Sequence, residues 1–179
     1  MESNQTQQEL PMQTEPQAEH HWLQKLVGEW IYETEVVMGP DQPLEKATGT
    51  ESVRWLSEPG ISPSLGGLWI LAEGQGEMCG TVATTMMTLG YDPQKQRYVG
   101  TWISSMMAYL WLYDGELDEA KRVLTLNSEG PDMNVEGKMS NYKDVLEFKR
   151  DDHRVMTSYA SGDDGQWYKF MTANYRRQQ

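Results

Sequence analysis

The chain reads as an all-β fold, a closed antiparallel meander barrel of about ten strands with one short helix in front of it. Three observations predict this. From Trp30 onward apolar residues recur with a period of two. The runs that carry this period are short and separated by turn-forming residues. No long helical run intervenes, so neighbouring strands must be antiparallel, and a sheet of that many strands curls and closes.

The elements follow in chain order. Residues 1–18 are polar, acidic and proline-containing, without Lys or Arg, and are expected to be a flexible tail. Residues 19–177 are expected to form one barrel domain. Trp22, Leu23, Leu26 and Val27 share one helical face, and Gly28 is a natural stop. Ile31 to Met38 is the first strand, ended by Gly39-Pro40-Asp41. Further strands are expected at about 46–55, 69–76, 82–91, 97–103, 108–114, 122–128, 142–149, 154–160 and 167–175. Asp92-Pro93, Asp114-Gly115, Asp151-Asp152 and Asp163-Asp164-Gly165 supply turns.

A turn at Asp92 to Gln96 pairs Tyr91 with Arg97, Leu89 with Val99, Met87 with Thr101 and Thr85 with Ile103. The other face then sets Met86 against Trp102. Neither face is plainly polar, so one is expected to line the barrel and the other to be covered in a homodimer. Two stretches, Ser57–Gly67 and Glu129–Asn141, are longer than a meander turn needs.

Composition bounds the function. The chain has 179 residues, enough for one domain with a sizeable core. Its 12 Met, 7 Trp and 9 Tyr against 2 Phe mean that the core is built of aromatics and thioethers. A net charge of -12 excludes nucleic acid and anionic membrane as electrostatic partners. No run approaches the roughly 18 apolar residues that span a bilayer. Met1 to Gln8 lacks the cationic and apolar regions of a signal peptide, and the single cysteine, Cys79, forms no internal disulfide. A cytoplasmic location is expected.

Leu23-x-x-Leu26-Val27-Gly28-Glu29-Trp30 leads a short helix through Gly-x-Trp into the first strand. This resembles the opening of calycins, the superfamily of lipocalins and fatty-acid-binding proteins. The resemblance implies that Trp30 plugs the closed end after Gly28, with a basic residue of the last strand over it. Arg176 is the candidate. A cation–π pair of this kind stabilises by about 0.5–2 kcal/mol. Met87-Thr88-Leu89-Gly90-Tyr91-Asp92-Pro93, Val99-Gly100-Thr101-Trp102-Ile103, Leu110-Trp111, Leu117-Asp118 and Ser128-Glu129-Gly130-Pro131 go further. With Leu26 to Trp30 they are similar to a bacterial domain-of-unknown-function family, number 1579, over residues 20–177. That likeness implies the fold and carries no activity with it.

The residues that could carry chemistry are few. His153 follows Asp151-Asp152, a combination that could hold a metal, but those acids suit a hairpin turn. His20 and His21 are adjacent and diverge on a helix, so no metal site is expected. Haem would need an axial ligand aimed inward, which a turn histidine does not offer, and no cofactor is expected. Cys79 lacks a neighbouring base, Ser104-Ser105 sit at a strand–turn junction, and Gly74-x-Gly76 is followed by no helix to cradle phosphate.

The candidate ligand site is therefore the barrel interior. Trp102, Tyr109 and Trp111 alternate on neighbouring strands, with Met86 beside them, and would wall a cavity for a small, largely apolar molecule. Glu73, if its face is inward, would anchor a hydroxyl or amine; if outward, it is a surface acid. Three functions remain open. A carrier or sensor needs a dry aromatic cavity. An acid–base enzyme, isomerase or hydrolase, needs a buried carboxylate of raised pKa such as Glu73 or Glu129. A packed barrel acting as a homodimer needs neither.

Overall fold

A computed structural model describes residues 15–37, 43–57, 67–78 and 80–178. The turn at Gly39-Pro40-Asp41, Cys79 and most of the Ser57–Gly67 stretch lie outside them. Ten strands run in a meander: β1 (Gly28–Val36), β2 (Glu45–Trp55), β3 (Trp69–Met78), β4 (Thr81–Asp92) and β5 (Arg97–Ser104). They continue as β6 (Met107–Leu117), β7 (Val123–Pro131), β8 (Met139–Arg150), β9 (His153–Ser161) and β10 (Trp167–Arg177). Every strand pairs antiparallel with its neighbour, and β1 also pairs with β10, so the sheet closes. The fold is the closed ten-strand barrel that the alternation predicts.

The short helix α1 (Ala18–Trp22) continues as a 3-10 turn, Leu23–Lys25, across one end of the barrel. Trp22, Leu23 and Leu26 are buried there. The lid is tied to the wall by hydrogen bonds. The Trp22 indole donates to the Lys121 carbonyl (3.0 Å), the Trp55 indole to Gln24 Oε1 (2.8 Å), and the Tyr98 hydroxyl to the Glu19 carbonyl (3.0 Å). His20 is buried under this lid, where its Nδ1 accepts from the Gln17 amide.

Trp30 is the floor of the interior, fully buried, its indole donating to the Leu26 carbonyl at 2.8 Å. Guanidinium groups cover its ring from two residues, Arg177 at 4.2 Å and Arg154 at 4.5 Å. The covering residue of the last strand is thus Arg177 rather than Arg176. Trp30 pairs with Arg177 in register, while Arg176 faces out with Ile31 and lines an outer hollow of about 610 Å³ over β1. Gly28 enters β1 at φ +134°, and a Cβ there would overlap the Arg177 guanidinium.

The β4–β5 hairpin is shifted by one residue from the sequence expectation. Asp92 pairs with Arg97, Tyr91 with Tyr98, Leu89 with Gly100 and Met87 with Trp102. The Asp92 carboxylate accepts the Gln94 and Lys95 amides, which tightens the loop to four residues and keeps Asp92 in the ladder. Asp114-Gly115 is likewise mid-strand. The turn after β6 is made by Asp118, whose Oδ1 accepts the Arg122 (2.7 Å) and Val123 (2.8 Å) amides. Glu129 pairs with Asn141 inside the β7–β8 ladder, so the connection between those strands is the short stretch 132–138.

The pairing between β6 and β7 is short. Only Asp114 to Leu117 are laddered to Leu124 to Asn127, after which the two strands part. A cleft of about 410 Å³ opens at this seam, lined by Tyr109, Leu112, Ser128, Glu129 and neighbours. The Tyr109 hydroxyl crosses it to the Glu129 carbonyl at 3.0 Å.

Candidate functional site

Strand register fixes which side chains enter the barrel. Tyr32 of β1 faces Gly49 of β2 and Tyr175 of β10, and a Cβ at Gly49 or Gly76 would overlap its ring. On the opposite wall Trp102 pairs with Met87 and Trp111, and Gly100 with Tyr113. Trp111 reaches over Gly130, where only bare backbone leaves room for the ring. Tyr109, Trp111 and Tyr142 form a chain of edge-to-face contacts, with centroids 5.2 and 4.9 Å apart. Trp102 and Trp111, two of the aromatic candidates from sequence, therefore face inward in the half away from the lid, while the third, Tyr109, stacks on Trp111 at the β6–β7 seam.

The other candidates do not. Glu73 pairs with Ser52 and Met86, all three on the outer face, and its carboxylate lies 3.7 Å from Arg54 in an exposed ion pair. Met86 is half-exposed beside Ile103. With the exposed Leu110 and Leu112 these residues make the outer apolar ridge. Glu129 is outward too. His153 begins β9 opposite Arg150 and Arg176 on the outer face, next to the Asp151-Asp152 turn. Among the described residues no group of three or more His, Cys, Asp or Glu could hold a metal ion.

The carboxylate inside the barrel is Asp144 of β8, which faces Leu126 and Ser158. One of its oxygens accepts the Tyr113 hydroxyl at 2.6 Å, the other the Ser158 hydroxyl. Burial raises its pKa, and the two hydroxyls only partly offset that. Tyr113 is held well above the ordinary phenol value by burial and by the Asp144 charge. A second interior carboxylate, Glu51 of β2, pairs with Arg154 of β9 beside Trp30. Arg154 is 1% exposed and stacks also on Tyr175 at 4.3 Å.

The sequence holds a signal for Asp144. In Tyr142-Lys143-Asp144-Val145-Leu146-Glu147-Phe148 the even positions are the apolar phase, and Asp144 sits on it. An acid on the apolar phase of an amphipathic strand points into the core.

The sign of the resulting pH dependence follows. The folded state holds the Asp144 proton more tightly than the unfolded chain, so this group's stabilising contribution is complete below the unfolded carboxylate pKa. It is lost as pH rises through the raised folded value. Asp144→Asn keeps an acceptor for Tyr113 and offers Ser158 a donor. It is expected to unfold at the same or higher temperature than wild type at pH 7, with the difference shrinking toward pH 4. Thermal unfolding across that range measures it.

A family model described as "Protein of unknown function (DUF1579)" matches residues 15–177. The chain belongs to this family. No curated protein matches this DUF1579 chain. Among solved structures it is similar to an S-type phycobiliprotein lyase from Guillardia theta, with a TM-score of 0.54 and 14% identity. The match covers 92% of the DUF1579 chain and 99% of the lyase, so the two share a fold over nearly their whole length. Among the described residues of the DUF1579 chain no helix is long and apolar enough to cross a membrane.

Proposed function

We propose that the barrel binds a small, largely apolar molecule in the half of its interior away from the lid, as a carrier or sensor. One observation carries this. Met87, Trp102, Trp111 and Met156 point inward yet are only half-buried, which supports an interior that its own side chains do not fill. A core filled by its own side chains would bury them. That space has aromatic and thioether walls, Asp144 as its polar anchor, and Trp30 with the helical lid closing it below.

The raised pKa of Asp144 and its bond to Tyr113 favour a second reading, an acid–base enzyme acting in the same cavity. Cytoplasmic residence, and a homodimer through the Met86, Ile103, Leu110 and Leu112 ridge, belong to the same proposal.

Nile red, neutral and fluorescent only in apolar surroundings, tests it. Its emission is expected to rise on titration with the full chain, and Trp102→Ala is expected to weaken binding about tenfold through loss of a ring face (~1.4 kcal/mol). Equal binding by the variant, or no enhancement with wild type, would remove the interior as the site.

A further inference from the structure

Resting on that proposal, we infer that the interior selects a small organic ammonium over neutral or anionic molecules of the same size. The cationic nitrogen would sit on Asp144 and the hydrocarbon against Trp111, Tyr142 and Trp102.

The first ground is an uncompensated acid. Asp144 lies inside the sheet with two neutral hydroxyl donors and makes no ion pair among the described residues. The interior guanidinium of Arg154 is already taken by Glu51, and its faces are covered by Trp30 and Tyr175. Arg177 gives its donors to the Lys25, Val27 and Asp151 carbonyls. An anion entering the barrel thus meets two carboxylates and an occupied arginine. An ionised carboxylate has about four acceptor directions. Tyr113 and Ser158 use two, which leaves room for an ammonium N–H.

The second ground is the wall above that acid. Tyr142 precedes Asp144 by two residues on the same face of β8, and Trp111 stands 4.9 Å from it, centroid to centroid. Trp111 precedes Tyr113 by two residues on β6, and Trp102 is its partner across β5. The electron-rich faces of such rings attract a cation, and the effect grows as water is excluded. Carboxylate and rings together make an amine site, whereas a purely apolar ligand would leave the carboxylate without use. Third, the net charge of -12 concentrates cations around the molecule.

Binding is then linked to protons. The groups facing Asp144 are Tyr113 from β6, Ser158 from β9 and Tyr175 from β10, with Tyr32 and the Arg154–Glu51 pair beyond them. None supplies the missing positive charge. An ammonium would, so it favours ionised Asp144 and binds more tightly as pH rises through the raised Asp144 value.

Isothermal titration of the full chain at pH 7.5 with 2-phenylethylammonium, 2-phenylethanol and 3-phenylpropionate tests this. The ammonium is expected to bind at least tenfold tighter than the alcohol and the carboxylate most weakly. Asp144→Asn should bring the ammonium down to the level of the alcohol, while its alcohol binding shows that the cavity is intact. An alcohol that binds wild type as well as the ammonium overturns the inference and leaves the binding proposal standing. So does a preference that survives Asp144→Asn. Failure of all three to bind overturns both.

Discussion

Trp30→Ala is expected to destabilise the barrel by about 4–7 kcal/mol. Truncating a fully buried tryptophan costs about 3–5 kcal/mol in lost transfer energy and residual cavity. The two guanidiniums on its ring add roughly 1–2 kcal/mol, because both lose their aromatic partner. Such a loss is a large part of a typical domain's total of about 5–15 kcal/mol. Trp30→Phe keeps the ring and fills most of the space. It gives up the bond to the Leu26 carbonyl and should cost only about 1–2 kcal/mol. Urea unfolding of the two variants separates a floor that depends on the ring from one that merely fills volume.

Glu51→Ala is expected to be nearly as damaging, by a different route. It leaves the Arg154 guanidinium charged in a site where its side chain is 2% exposed, and breaking a buried pair in this way costs about 3–5 kcal/mol. In a domain of this length that corresponds to a fall in Tm of about 6–20 °C. The double variant Glu51→Leu with Arg154→Met removes both charges and keeps the volume. It should recover most of the loss, since replacing a buried pair by apolar groups is often neutral. A double variant less stable than the single one would mean that Arg154 acts chiefly through Trp30 and Tyr175.

Much of this barrel was legible in the alternation of its residues. Ten strands and the short helix before them follow from period and turn chemistry, and Gly28-x-Trp30 locates the closed end. Phase was harder to read than period. Trp69 to Ala72 is apolar at every position, so it leaves the face of Glu73 undecided. The next residues decide it: Glu73, Gln75 and Glu77 alternate with Gly74 and Gly76, and the charged set must face water. Asp92 has the residue type of a loop, yet its side chain caps the turn from within the strand, which moves the β4–β5 register by one. Arg176 and Arg177 differ only by phase, and Ala173 and Tyr175 put Arg177 on the inner set.

The interior polar groups follow the same rule. Glu51 lies in phase with Val53 and Trp55, Asp144 with Leu146 and Phe148, and Arg154 with Met156 and Ser158. Glu51 and Asp144 each break an otherwise apolar run. What no single strand reveals is which of these acids finds a cation across the barrel. Glu51 finds Arg154 from a strand 103 residues away, whereas among the described residues Asp144 finds Tyr113 and Ser158.

Methionine is distributed so that one measurement addresses the interior directly. Met87 and Met156 point into the barrel, while Met86 and Met139 point out of it. In a carbon–proton NMR spectrum of the methyl-labelled chain titrated with 2-phenylethanol, the signals of Met87 and Met156 are expected to shift and saturate together. Those of Met86 and Met139 should stay in place. Shifts confined to the outer pair, or none at saturating ligand, would contradict an interior that binds small molecules.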